Sequence, residues 1–351
     1  MDNKLIQIIN KFDIEGEVLS VNPFGAGHIN KTFLVITTKK KYIFQQINNS
    51  VFPDMDGLME NIKYITSHLR AKGVETLDYV CTKDNKNYIK GDECYRIFVF
   101  IEGTKSYNRV ENREVFKNAG RAFGEFQNYL ADFDASVLTE TIKRFHDTPK
   151  RFNDFTLVLT EDKLNRAKTC KKEIDFIISH KDTFGLVTEG LKDKTIPLRV
   201  THNDTKLNNI LIDEKTNKVR AIIDLDTIMP GSVLYDFGDS IRFGANDNEE
   251  DEKDLSKVNF NIDLYKAYSE GFLSAVKNSL NKKEIELLPY GAYLMTVECG
   301  MRFLTDYLQG DTYFATQYPE HNLVRARTQL KLASEMENRF DEMSAIIKEL
   351  I

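Results

Sequence analysis

The stretch "VTHNDTKLNNILID", Val200 to Asp213, places His202, Asp204, Lys206 and two consecutive asparagines between apolar runs. "PLRV" ahead of it and "ILID" at its end read as buried strands, so the polar cluster sits where a loop leaves a core. Loops held this way on a rigid scaffold are where binding and catalytic residues concentrate. Asp204 and Asn209 lie five residues apart, and Asp224 closes the next apolar run, "RAIID". Phosphoryl transfer needs one carboxylate to receive the acceptor hydroxyl's proton, and an amide oxygen with a second carboxylate to hold magnesium on the phosphates. The spacing meets all three needs.

Hard oxygen donors suit Mg2+, which takes few protein ligands and keeps several waters. Two carboxylates in "IIDLDTIMPG" compete for that role. Asp224 follows the strand directly and is the first choice; Asp226 either binds a second ion or caps the turn. Lys206, two residues after Asp204, is placed to neutralise charge on a transferred phosphoryl group. Against this stands a plain turn in which Asp204 and the asparagines satisfy backbone groups. "AIIDLD" downstream favours the chemical reading. No second histidine stands at ligand spacing near His202, so its expected role is to brace the loop, and Asp236 in "YDFGD" reads as a structural anchor.

The rest of the chain sets bounds. With 351 residues and 41% hydrophobic content it can bury a substantial core, and its length suits two lobes. A net charge of −6, from 48 basic and 54 acidic residues, gives no electrostatic footprint for nucleic acid, so no nucleic-acid partner is expected. Cys81, Cys94, Cys170 and Cys299 form no C-x-x-C pair and read as reduced thiols. The opening "MDNKLIQIINKF" lacks a basic leader and a cleavage site, and no segment approaches the roughly 18 apolar residues of a membrane span. The expectation is a cytoplasmic protein without a membrane partner.

"TFLVITT" and "KYIFQQI" are β-branched and aromatic runs that predict a hairpin. "GLMENIKYITSHLRAKG" predicts a helix with Leu58, Ile62, Ile65 and Leu69 on one face, and "YRIFVFIEG" another buried strand. Helices dominate from "NREVFKNAGRAFGEFQNYL" onward. The fold class is therefore α+β, with a mainly antiparallel N-terminal part over 1–103 and a mostly helical part over 104–351. The acid-rich "NDNEEDEKD", Asn246 to Asp254, reads as a solvated loop.

"HNDTKLNN" matches the kinase catalytic-loop pattern H-R-D-L-x-x-x-N at His202, Asp204 and Asn209, with Asn203 replacing the arginine that protein kinases use for activation-loop control. The sequence thus resembles the aminoglycoside phosphotransferase and choline kinase superfamily. Within it, "THNDTKLNNILID", "IIDLDTIMPGSVLYDFGDSIRFGA", "FGAGHINKTF" and "GMRFLTDYLQGDTYF" are most similar to the N-acetylhexosamine 1-kinases, a resemblance that covers nearly the whole chain. It implies a two-lobe, protein-kinase-like fold, ATP as co-substrate with Mg2+, and a small neutral amino sugar, N-acetylglucosamine or N-acetylgalactosamine, phosphorylated at the anomeric hydroxyl.

"GAGHINKT", Gly25 to Thr32, is one residue from the phosphate-binding pattern G-x-x-x-x-G-K-T. That loop needs a helix beginning at its lysine, whereas a strand-forming run follows here. The expected context is strand, turn, strand: a glycine-rich turn over the nucleotide phosphates, with Gly25 and Gly27 allowing close backbone approach and His28 and Asn30 facing the acceptor. "YIFQQIN" has Gln45 and Gln46 where the kinase strand carries its lysine, so the ion pair with helix acid Glu60 is missing. Either a glutamine, Gln46 above all, supplies neutral hydrogen bonds, or a lysine among Lys39 to Lys41 reaches inward. "RIFVFIEG" resembles the hinge strand, whose backbone from Val99 to Ile101 would meet adenine.

Projecting Gly291 to Leu308 onto a helix puts Glu298, Arg302, Thr305 and Asp306 in one arc. Periodicity leaves two readings: a surface ladder of ion pairs, or a stripe lining a polar cavity. The resemblance favours the cavity, with Arg302 the leading acceptor contact and Tyr313 a second. A quaternary ammonium needs an aromatic cage, and the chain has no tryptophan. A polycationic aminoglycoside would suit an acidic pocket. Two rivals stand beside the sugar kinase: another small-molecule O-kinase acting on an aminoglycoside, choline or an amino alcohol, and a catalytically silent nucleotide-binding protein.

Overall fold

Antiparallel strands of β-branched and aromatic residues open the chain in this computed structural model, which describes residues 3–25 and 30–351. Helix α1 (Asn3–Ile9) precedes strands β1 (Val18–Pro23), β2 (Lys31–Thr37) and β3 (Lys41–Ile47), then α2 (Met55–Ala71), β4 (Cys94–Val99) and β5 (Thr104–Lys105). Helices α3 (Arg113–Tyr129), α4 (Thr148–Glu161), α5 (Lys171–Ser179) and α6 (Leu186–Asp193) lead to β6 (Arg199–Thr201), β7 (Ile210–Asp213), β8 (Val219–Ile222) and β9 (Met229–Gly231). The remainder is helical: α7 (Val233–Gly244), α8 (Ile262–Val276), α9 (Lys282–Gln309), α10 (His321–Asn338) and α11 (Phe340–Glu349).

Two compact units result. The first comprises Met1–Lys105, Val137–Lys143 and Leu211–Met229; the second comprises Ser106–Ser136, Arg144–Ile210 and Pro230–Ile351. A single cut near residue 103 misses the two later segments of the first unit. One tie is visible in β5, whose Thr104 and Lys105 pair antiparallel with Asp213 and Ile212 of β7 in a sheet of order β5-β7-β8.

In the first unit the main sheet has the order β1-β2-β3-β4 and is antiparallel throughout. Side chains alternate between its faces. Tyr42 and Phe44 of β3 join Ile9, Phe12, Val35, Val80, Tyr95 and Ile97 in one buried cluster, with Phe44 stacked on Tyr95 at 5.4 Å. Across β2, β3 and β4, Thr32, Gln45 and Arg96 stand in register as a polar row. Helix α2 starts at Asp54, whose carboxylate accepts the Gly57 N–H, and buries Met55, Leu58, Met59, Ile62, Ile65 and Leu69. Among its buried polar residues is Asn61, which donates to the carbonyls of Thr139 (2.7 Å) and Ile228 (3.0 Å) and accepts from Thr139 N–H at 2.8 Å. Asn61 thereby binds the two later segments to the unit.

In the second unit, glycines let helix backbones touch. A Cβ at Gly271 of α8 would collide with the Lys117 carbonyl of α3, and one at Gly238 of α7 with the Gly291 carbonyl of α9. Helix α7 is buried along nearly its whole length. Helix α9 begins with a capping box from Asn281 and Glu284 and ends at Gly310, whose φ of 103° favours glycine. The acid-rich loop is not simply solvated: Glu250 accepts from buried Arg242 at 2.9 Å, and Asp251 pairs with His321 at 3.1 Å. Among the described residues no helix is long and apolar enough to cross a membrane.

Candidate active site

Strand β6 delivers its chain into the loop His202–Asp204, and a short 3-10 turn at Leu207–Asn209 returns it to β7. The loop is held from below by α7. Asp236, fully buried, accepts the backbone N–H groups of His202 (2.9 Å) and Asn203 (2.8 Å) and the Gln127 amide at 2.8 Å. About one turn along, Asp239 accepts Thr205 N–H at 3.1 Å and Ser240 donates to the Thr205 carbonyl at 2.9 Å. Burial pushes the Asp236 carboxyl up against the pull of these donors. For Asp239 burial also pushes upward, but Arg242 and Lys206 outweigh it and its pKa is lowered. His202 is buried edge-on to Phe123 and Phe126, and its Nδ1 accepts the Asp204 N–H at 3.3 Å. Asn203 has φ 63°, a left-handed conformation that asparagine tolerates better than most residues.

This bracing presents Asp204. Lys206 Nζ lies 2.9 Å from its Oδ1, and Asn209 Nδ2 donates to its carbonyl (2.8 Å) and its Oδ2 (3.2 Å). The charge of Asp204 is the main reason the Lys206 pKa is raised, with desolvation working against it. Committing Asn209's nitrogen to Asp204 leaves the amide oxygen as the group for a hard cation. Asp224 begins the turn after β8 with an exposed carboxylate and a left-handed backbone, φ 58° and ψ 58°. Such strain in a non-glycine residue clusters at functional sites. Donors of this kind fit magnesium, which uses one or two carboxylates together with phosphate oxygens.

Asp226 is different. Only 3% exposed, it faces Arg96, with Nη1 2.6 Å from Oδ1 and Nη2 2.8 Å from Oδ2, and its Oδ2 also accepts Asn30 Nδ2 at 2.7 Å. At the candidate second metal ligand, Oδ2 thus holds two donors, while Oδ1 lies against the Arg96 guanidinium in an ion pair without a hydrogen bond of its own. Asn30 is committed too, since its Oδ1 accepts Asn48 N–H at 3.0 Å, so it does not stand free for an acceptor. Strand alternation also decides between the glutamines. Gln45, not Gln46, lies on the Arg96 face and accepts from Arg96 Nε (2.9 Å) and Nη2 (2.7 Å), while Gln46 donates to Glu93 at 3.0 Å. Lys40 and Lys41 reach outer acids, Glu15 and Glu102, and Glu60 faces solvent beside Tyr64.

Gly25 has φ 76°, and the element that starts at Lys31 is a strand paired antiparallel with β1, not the helix that a helix-capping phosphate loop needs. Gly27 and His28 lie outside the described residues. At the hinge, Val99 N–H bonds the Asp78 carbonyl (2.8 Å) and Phe100 N–H the Lys41 carbonyl (3.0 Å), while the Ile101 carbonyl accepts from Thr104 at 2.8 Å. Phe24 and Phe100 meet edge to face at 5.9 Å.

On α9 the stripe is no ladder. Glu298 turns to His146 (2.8 Å) and Thr148 (2.5 Å). Asp306 accepts the N–H groups of Thr312, Tyr313 and Phe314 at 2.8 to 2.9 Å and the Asn322 amide at 2.9 Å. Arg302, between them, lies over the rings of Phe145 (5.3 Å) and Phe314 (5.6 Å). Burial and the Arg302 charge lower the pKa of Arg151, so the two guanidinium groups feel each other. Tyr313 is held at its backbone with its side chain 65% exposed.

A family model for the phosphotransferase enzyme family (APH) matches residues 20–268. The chain belongs to that family. The fold agrees with solved kinases at low identity. An aminopropanol kinase associated with a microcompartment is 15% identical with a TM-score of 0.65, covering 97% of this chain and 98% of that one. Spectinomycin phosphotransferase, solved with ADP and spectinomycin, is 14% identical with a TM-score of 0.61 over 95% and 98% of the two chains. Choline kinase from Cryptosporidium parvum Iowa II is 15% identical, TM-score 0.61, over 100% and 99%. The chain is a member of the phosphotransferase enzyme family, and it shares the protein-kinase-like α+β fold of these kinases.

Four residues outside the sequence-based candidates anchor the elements just described: Arg96 and Asn61 in the first unit, Asp239 and His146 in the second. Arg96 and Asn61 carry a legible signal, each being a polar residue at a core-facing position of an otherwise apolar element. Asp239 shows its signal as an acid three residues after Asp236 on a buried helix. His146 has no periodic context and gives none.

Proposed function

We propose that this phosphotransferase moves the γ-phosphoryl group of ATP to the anomeric hydroxyl of an N-acetylhexosamine, N-acetylglucosamine or N-acetylgalactosamine. The observation that carries the acceptor class is the polarity of the α9 stripe. Its two acids, Glu298 and Asp306, are engaged inward, and the group left between two aromatic rings is the Arg302 guanidinium with Arg151 nearby. A cationic acceptor such as an aminoglycoside or choline would meet like charge there. Hydroxyl and N-acetyl oxygens would find donors.

In this reading Asp204 accepts the acceptor's proton as that hydroxyl oxygen forms its bond to phosphorus. The bond from phosphorus to the bridging oxygen breaks, and ADP leaves with that electron pair. An anomeric hydroxyl is more acidic than a ring or primary hydroxyl, so one carboxylate suffices as base. Lys206 exchanges Asp204 for the transferring phosphoryl oxygens, which carry the developing charge. Asn209 and Asp224 would be the oxygen donors for magnesium, which would supply neutralising charge to the phosphates. The Gly25 turn covers the phosphates, and the Val99–Ile101 backbone meets adenine beside Phe24 and Phe100. Arg302 and Tyr313 orient the sugar, so that its anomeric oxygen lies about 3 to 3.5 Å from phosphorus.

Measuring ADP release with N-acetylhexosamines, aminoglycosides, choline and aminopropanol separates the acceptor classes, and phosphorus–proton NMR of the product locates the ester. An α-1-phosphate coupled to the anomeric proton is expected. Coupling to a ring or C6 proton, or turnover of an amine alone, would refute the sugar 1-kinase reading. Absence of turnover with every acceptor would favour a silent nucleotide-binding protein.

A further inference from the structure

Glutamines replace the kinase strand lysine in the first unit and the helix acid Glu60 faces solvent, yet a cation is buried on the same sheet. Arg96 is 1% exposed and stands at the end of the in-register row Thr32–Gln45–Arg96. Its orientation is over-determined. Gln45 Oε1 accepts two of its N–H groups at 2.9 and 2.7 Å, Gln45 is itself held by Thr32 at 3.1 Å, and the Phe98 ring lies 4.9 Å from the guanidinium. The free edge of the fork faces Asp226 at 2.6 and 2.8 Å. Asn30, at the end of the glycine-rich turn, closes the network on the same carboxylate at 2.7 Å. The turn that begins at Asp224 is thus fixed by Arg96 and Asn30 through Asp226, and by Asn61 through the Ile228 carbonyl.

A hard cation cannot share this carboxylate edge. Magnesium would have to displace a guanidinium from a nearly water-free site, or lie beside it as a like charge. We infer that Arg96 is a positioning residue that takes the place of the missing strand lysine: it holds Asp226 away from metal, ties the Asp224 turn to the glycine-rich turn, and leaves Asp224 as the turn's single magnesium carboxylate. The inference rests on the proposed phosphotransferase function.

The test counts Mn2+ bound per chain at saturating ADP by electron paramagnetic resonance, with thermal melting alongside. Asp226→Asn should hold the same number of ions as the natural protein while melting about 10 °C lower, since it leaves a buried guanidinium uncompensated. Asp224→Asn should lose at least one ion. Arg96→Lys should keep the ion count and weaken Mn2+ about tenfold, as expected when the support of a ligand turn is loosened. Should Asp226→Asn not fold, the apolar pair Arg96→Met with Asp226→Leu supplies the same count from a packed core. Loss of an ion in either Asp226 variant would overturn the inference, as would natural Mn2+ affinity in Arg96→Lys, which a purely structural arginine predicts. If the natural protein binds no Mn2+ with ADP, the phosphotransferase reading falls with it; if it binds and only the Asp226 variants lose an ion, that reading stands and this inference alone fails.

Discussion

Two aspartates of this chain each face a basic side chain, and water separates their fates. Asp204 and Lys206 lie 2.9 Å apart with side chains 27% and 40% exposed; Asp226 and Arg96 lie 2.6 Å apart with side chains 4% and 2% exposed. The first pair is screened and contributes about 0 to 1 kcal/mol, so it opens readily when a phosphate competes for the lysine. The second has lost its water, and removing one partner costs about 3 to 5 kcal/mol because the other charge is left stranded. The choice of cation follows. A flexible ammonium suits a partner that must be exchanged, whereas a planar guanidinium suits one that must not move.

The sharpest way to break this contrast is Asp204→Asn. Turnover should fall by about 10² to 10⁴, with ATP affinity within several-fold, and near-normal turnover of the folded variant would remove Asp204 from its role. Next in size is stability. Urea unfolding should show Arg96→Met losing about 3 to 5 kcal/mol and Lys206→Met less than about 1 kcal/mol. Equal losses would erase the distinction.

Arg302→Ala tests the acceptor side. Its kcat/KM for the sugar should fall about 10- to 100-fold, a loss of about 1.4 to 2.7 kcal/mol, with a smaller change for ATP. The smallest effect is acidic. Burial raises the Glu298 pKa, but His146, Thr148 and Arg302 outweigh it and bring it below the ordinary 4.5. A depressed carboxylate adds stability above its unfolded value and loses it as pH falls through the folded one. Melting curves below pH 4.5 should therefore decline less steeply for Glu298→Gln than for the natural protein. An unchanged acid limb would show that this carboxylate does not titrate as described.

Period and punctuation made much of the fold legible. The β2–β3 hairpin, the apolar face of α2 and the strands around Asp204 all announce themselves through alternation, 3.6-residue spacing or turn residues. The candidate residues His202, Asp204, Lys206 and Asn209 are legible together because they fall within one short segment. What the sequence hid is set by long-range pairing. Asp226 reads as a ligand until Arg96, 130 positions away, is found on it. For Glu298, Arg302 and Asp306, periodicity leaves a ladder and a cavity stripe equally open until each is seen to have a different partner, in His146, in aromatic rings and in the backbone of 312–314. Local spacing supplies the charge of a side chain but not the donor already waiting for it.

The left-handed aspartate at position 224 bears on protein engineering. Its φ of 58° costs roughly 1 to 2 kcal/mol relative to a relaxed residue, and glycine would recover part of that by adopting the same backbone without a Cβ. A library screened only for heat tolerance would therefore tend to enrich Asp224→Gly, along with the usual surface and loop changes. Under the magnesium role proposed for Asp224, those sturdier clones would be inert, so a thermal screen of this chain needs a turnover screen run beside it.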